Sequence, residues 1–259
     1  MEIIAACYTD AGNIKEMNQD SLSVKVVNSP KGKILFAVVC DGMGGLEHGE
    51  VASREVVVAF NNWFSNQFAQ MVAQDFVSAA QVQEQWKRLI TGMNERISEY
   101  ADGLGMMMGT TVSAVLVYQG EYFICHVGDS RIYRICHSVE QLTMDQTLVE
   151  QEVELGKLTK EEAMVDPRRS ILLQCVGASG VVEPQFDTGT ISEETTFILS
   201  SDGFVHFISN EEIYEVFSPE QIRDKAMLSR RCEKMVKRVM ERGERGNITV
   251  IAAVCRQEV

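Results

Sequence analysis

Three apolar, β-branched runs, EIIAACYT, SLSVKVV and KILFAVVC, follow one another before any helical pattern begins. Turn-formers such as NSPKGK separate them, so they read as neighbouring strands rather than as strands alternating with helices. Two helical patterns then come as a pair. Residues 49–68 carry Ala52, Val56, Ala59, Phe60, Trp63 and Phe64 at helical spacing, and residues 75–99 carry Phe76, Ala79, Ala80, Trp86, Leu89, Ile90, Met93 and Ile97. These side chains are expected in the core. Residues 109–136 read as a β-meander with turns at Gln119-Gly120 and Gly128-Asp129. A charged segment, 145–185, breaks the pattern with helical pieces, and the strand TTFILSSDGF, an amphipathic helix near 219–241 and the strand NITVIAAVC follow. Strands in groups with helices in pairs exclude a doubly wound parallel sheet. They predict an α+β fold of antiparallel sheets covered by helices.

A length of 259 residues with 45% hydrophobic content suits one domain with a substantial core, and no linker composition divides it. The first residues lack the pattern of a signal peptide, and no apolar run approaches a membrane span, so a cytoplasmic protein is expected. Seven cysteines without a CxxC pattern fit reduced, mostly buried thiols better than disulfides or a zinc site. A net charge of −13 argues against nucleic acid or an anionic membrane as partner.

Part of that acidity has a pattern. Asp41 in VVCDGMGG, Asp129 in HVGDSR and Asp202 in ILSSDGF each follow or interrupt an apolar strand beside a glycine, and Asp20 lies in KEMNQDS. Asp-Gly is by itself a turn signal. Three acids beside glycines, with Asp20 as a fourth carboxylate, are more than turn chemistry demands. Carboxylates at the tips of buried strands are desolvated and repel one another unless a cation sits among them. Hard oxygen donors favour Mg²⁺ or Mn²⁺.

In order and spacing, TDAGNIKEMNQDS, VVCDGMGG, GEVAS, GTT, HVGDSRIYR, LSSDGF and NITVIAAV resemble the bacterial metal-dependent serine/threonine phosphatases of type 2C, over nearly the whole chain. The resemblance implies a four-layer αββα sandwich in one phosphatase domain, with a variable flap at about 145–185. It also implies two or three Mn²⁺ or Mg²⁺ ions at one edge. Asp41 would bridge two metals, the Gly42 carbonyl would bind one and Asp202 the other. Asp20 would support the site, and Asp129 with Asp202 would hold a weaker third ion. A hydroxide bridging the metals would attack phosphoserine or phosphothreonine in line, with phosphorylated proteins as substrates and an opposing serine/threonine kinase as the implied partner.

Three positions depart from the family pattern. Lys15 stands where the family has a phosphate-clamping arginine, keeping the charge and losing the planar fork. Leu46 replaces a frequent histidine, and the nearby His48 reads as a solvated loop residue without a catalytic part. Gly246, in ERGERGNITV, occupies the place of a metal-binding aspartate. Water, Glu244 or Asn247 are the candidates to fill that position; a bland turn role explains the glycine but not the missing ligand. The loss leaves a second reading, a pseudophosphatase that binds phosphoproteins without turning them over.

Overall fold

The structure is a computed structural model and describes residues 1–44 and 48–257. In chain order it runs β1 (Glu2–Asp10), β2 (Asp20–Ser29), β3 (Gly32–Gly44), α1 (Gly49–Trp63), a π-helical turn (Phe64–Phe68), α2 (Ala69–Ala73) and α3 (Ala79–Leu104). β4 (Met108–Thr110), β5 (Val112–Tyr118), β6 (Glu121–Val127), β7 (Arg131–Ile135) and β8 (Val139–Gln141) follow. The flap contributes α4 (Leu148–Glu154) and α5 (Lys160–Val165). The chain ends with β9 (Gln185–Thr190), β10 (Thr195–Ser200), α6 (Asp202–Val205), α7 (Asn210–Phe217), α8 (Lys225–Glu241) and β11 (Ile248–Arg256).

Two antiparallel sheets form, ordered β1-β11-β10-β7-β8 and β2-β3-β5-β6-β9, with β4 added against β3. The two-residue period of a strand decides the layers. In β3, Ile34, Phe36, Val38 and Cys40 meet α1 and α3, whose Phe60, Trp63 and Trp86 lie in the same cluster. Leu35, Ala37 and Val39 face the other sheet, against Ile251, Ala253, Phe197 and Leu199. On the far side, Val250, Ala252 and Val254 of β11 pack under Leu228, Cys232, Met235 and Val236 of α8. Three apolar interfaces between four layers are the αββα sandwich that the motifs predict.

Several local expectations fail for identifiable reasons. Gly128-Asp129 does not close a hairpin: β6 and β7 belong to different sheets, so this turn carries the chain across the sandwich. Gln119-Gly120 does close one, with φ of 52° and 82°, as a two-residue hairpin requires. The second long helix starts at Ala79 rather than 75, because Ser78 caps it by accepting from the Gln81 N–H; Phe76 and Ala80 lie exposed. The helix expected from 219 begins at Lys225 behind the Asp224 cap, and Ile222 is buried from the preceding loop. Five of the seven cysteines are buried, and all seven are free thiols.

Candidate metal centre

The space between the sheets is apolar through most of its length and polar at one end. Continuing the inward face of each strand gives Thr9 on β1, Asp20 on β2, Asp41 on β3, Thr111 before β5 and Ser113 on it, His126 on β6, Ser201 after β10 and Thr249 on β11. Strand register brings them to one rim: Asp20 lies opposite Asp41, and Thr9 opposite Thr249. The crossings between sheets, 11–19 and 128–130, fall at this rim as well.

Hydroxyls and backbone hold the acids in place. Thr249 Oγ1 and Ser201 Oγ donate to Asp20 Oδ2 at 2.6 and 2.9 Å. Asp20 Oδ1 is buried and has no hydrogen-bond partner. The Asp41 N–H donates to Thr111 Oγ1, while its carbonyl accepts from the Thr111 N–H and Thr110 Oγ1, each at 2.9 Å. This leaves the backbone of Asp41 saturated and its carboxyl beside Asp20, Asp202 and Asp129. Burial, then repulsion from Asp20, Asp202 and Asp129, pushes the Asp41 carboxyl well above the usual carboxylate range. Burial moves Asp20 to about 6, with Asp202 adding to the effect and its two hydroxyl donors opposing it. Asp129 is raised by burial and then by Asp202 and Asp145, against Arg131.

Among the described residues, no group of three or more His, Cys, Asp or Glu side chains is arranged to hold a metal ion by itself. Mg²⁺ and Mn²⁺ take one or two carboxylates and keep several waters, so an open rim of carboxylates with a bare Asp20 oxygen fits their chemistry. Gly42 is needed for close approach: its N–H donates to the Gln19 carbonyl at 3.1 Å, and a Cβ would lie 2.2 Å from the Gly49 carbonyl oxygen. Gly42→Ala is expected to destabilise the fold by about 2–3 kcal/mol through overpacking against backbone, read as a lowered urea midpoint. An unchanged midpoint would mean that α1 moves aside freely.

The departures from the family pattern resolve unevenly. Lys15 is exposed on the crossing loop and makes no hydrogen bond or ion pair with a described residue. Leu46 lies outside the described residues. His48 occupies the N-cap position of α1 at φ 79° without a side-chain capping hydrogen bond, 3.7 Å from Glu50. Gly246 is not in the left-handed region, so the turn itself does not call for glycine. Asn247 is fully engaged elsewhere: Oδ1 accepts from the Gln19 N–H, and Nδ2 donates to the Ala11 and Met17 carbonyls. Glu244 Oε1 accepts from the N–H groups of Arg245 and Gly246, and Oε2 accepts from His206 Nδ1. Both suggested substitutes for the missing ligand are therefore occupied.

Sequence reading missed the hydroxyls of Ser201 and Thr249, although both lie inside quoted motifs, and it missed His206. It also passed over His126, which is fully buried, its Nε2–H donating to the Met144 carbonyl at 3.1 Å and its Nδ1 paired with Ser113 Oγ. Burial lowers the His126 pKa from 6.5 to about 4. The unfolded chain then binds this proton first, so the contribution of His126 falls as pH drops from 6.5 towards 4. Between pH 7 and 4, the stability of the parent relative to His126→Gln should fall by about 3 kcal/mol, as read from urea midpoints. A pH-independent difference would mean that His126 binds its proton equally well in the folded and unfolded chain, so that burial does not lower its pKa.

Helix, sheet, sheet and helix, with acids gathered at one rim, are the arrangement that the sequence motifs imply for a metal-dependent phosphatase. Residues 13–248 match the family described as Protein phosphatase 2C, and the chain belongs to that family. It is 33% identical over 249 residues to the serine/threonine phosphatase stp of Listeria innocua, covering 94% of this chain and 92% of the relative. The S. agalactiae serine/threonine phosphatase superposes with a TM-score of 0.82 at 29% identity, covering 99% of this chain and 100% of the other. The catalytic domain of the phosphatase PstP, solved in complex with two manganese ions, gives 0.74 at 26% identity, covering 97% and 98%. The protein is a protein-serine/threonine phosphatase whose substrates are phosphoproteins.

Proposed function

We propose that this phosphatase is a divalent-cation-dependent hydrolase of phosphoserine and phosphothreonine, with its centre at the rim of the sandwich. The unpartnered, buried Asp20 Oδ1 beside the crowded carboxyl of Asp41 carries the reading, because a cation among these acids would satisfy that oxygen and offset their mutual repulsion. The two manganese ions of the PstP complex point to the same chemistry. Asp41 would lie between two ions, with the Gly42 carbonyl and Asp202 completing their protein ligands. Asp20 would be aimed by Thr249 and Ser201, and Asp129 with Asp202 would serve a third. When bound, the ions supply positive charge to the phosphoryl oxygens and acidify the attacking water. Lys15, on the crossing loop, would hold a phosphate oxygen as a point charge. The free thiols fit work in a reducing compartment such as the cytoplasm, opposite a serine/threonine kinase.

The test is hydrolysis of a phosphothreonine peptide across a Mn²⁺ titration from micromolar to millimolar. Turnover should rise with Mn²⁺ and vanish on chelation. Folded protein that stays inactive throughout, or activity indifferent to chelation, would overturn the proposal.

A further inference from the structure

A histidine lies beside Asp202, on a different element from Gly246. Asp202 and His206 lie one helical turn apart, so their side chains share a face, and His206 Nε2 comes within 3.7 Å of Asp202 Oδ2. Across the ring, Nδ1 is 2.9 Å from Glu244 Oε2. Glu244 is itself pinned: only 8% exposed, it accepts two backbone N–H groups through its other oxygen, both at 2.7 Å. With Glu244 on Nδ1, Nε2 faces the Asp202 carboxylate, so the space between them takes either the ring's second proton or a cation that displaces it. A carboxylate on the far ring nitrogen is the usual preparation of a metal-binding histidine. Two donors about 2.1 Å from one ion can lie at most about 4.2 Å apart, and the Nε2–Oδ2 separation falls inside that limit. The charge of Arg169, on the flap, also acts on His206 and opposes the two carboxylates.

We propose that His206 Nε2, oriented by Glu244, is a direct ligand to the cation that Asp202 binds, in place of the carboxylate absent at Gly246. The inference rests on the cation-dependent reading above and narrows it. Exchanging a carboxylate for an imidazole moves the site away from Mg²⁺ and towards first-row transition metals, of which Mn²⁺ is the hardest and most weakly bound.

Pulsed EPR on the Mn²⁺-loaded protein tests this without turnover, because a bound imidazole imposes ¹⁴N coupling on the manganese signal. The parent should show that coupling. His206→Gln should abolish it and weaken Mn²⁺ binding at least tenfold by calorimetry, and Glu244→Gln should weaken binding about 10- to 100-fold while His206 remains. Its preference for Mn²⁺ over Mg²⁺ should also shrink in His206→Gln/Gly246→Asp. Mn²⁺ bound by the parent without ¹⁴N coupling, or with coupling that survives His206→Gln, would overturn the His206 assignment and leave the phosphatase centre standing. No Mn²⁺ binding by folded parent would overturn both. If His206→Gln fails to fold, the parent's coupling and the Glu244→Gln affinity decide.

Discussion

Asp41→Asn is expected to cut phosphatase turnover by at least ~10³-fold, about 4 kcal/mol of transition-state stabilisation, and yet to unfold later than the parent when both are free of divalent cations. The two effects share one cause. The Asp41 carboxyl is buried against three other aspartates, and its charge is unfavourable until a cation arrives. A raised carboxyl pKa means that the fold loses stability as pH rises above the unfolded value, so a neutral amide of the same shape relieves that cost at neutral pH. Relief at a functional site commonly brings about 1 kcal/mol, or roughly 2–4 °C in a chain of this size. Saturating Mn²⁺ should reverse the order. The parent gains about 2.7 kcal/mol at a hundredfold excess over its dissociation constant, while the variant, lacking the shared ligand, gains much less. Differential scanning calorimetry with and without Mn²⁺ reads this directly. A variant that turns over at the parent's rate would remove Asp41 from the chemistry, and a lower melting point without metal would show that the carboxylate is already compensated within the protein.

That trade of stability against function also explains why the acids were legible in the sequence and much around them was not. A strand's alternation can be read locally, and in KILFAVVC it correctly separates the residues facing α1 from those facing the second sheet. An acid that ends such a run breaks the local rule, which is why Asp41 and Asp202 stood out. Partners supplied from elsewhere leave no such trace. His206 and Glu244 meet across 38 positions of sequence, and Asp20 meets Thr249 across 229. The turn at Gly128-Asp129 has ordinary hairpin chemistry, yet β7 pairs with β10 and β8 in the other sheet. Phe76 fitted a helical period, but the Ser78 cap starts the helix after it. Local pattern thus fixes which face a residue takes, while sheet pairing decides what that face meets.

Asn247 is the sharpest test of that distinction, because its neighbour in sequence is the departed ligand position. Were residue 247 reaching for a cation, Asn247→Asp would add an anionic oxygen and tighten binding. The hydrogen bonds predict the reverse. The side chain is 8% exposed, and its amide nitrogen donates to the carbonyls of Ala11 and Met17 at 3.0 and 3.1 Å, tying down the crossing loop that carries Lys15. A carboxylate keeps the acceptor for the Gln19 N–H but turns an oxygen towards two carbonyl oxygens, so two donors are lost and a buried charge is gained. The expected cost is about 4 kcal/mol, or about 10 °C in melting temperature, larger than for Asn247→Ala, which removes the same bonds without adding charge. Mn²⁺ affinity should fall along with stability, because a loosened loop no longer positions Gln19 beside Gly42 and Asp20 beside Asp41. A stable Asn247→Asp protein with tighter Mn²⁺ binding would place residue 247 at the metal and make His206 unnecessary. A destabilised one with weaker binding assigns Asn247 to the loop, and leaves the cation to be held by residues whose side chains are not already spent on the backbone.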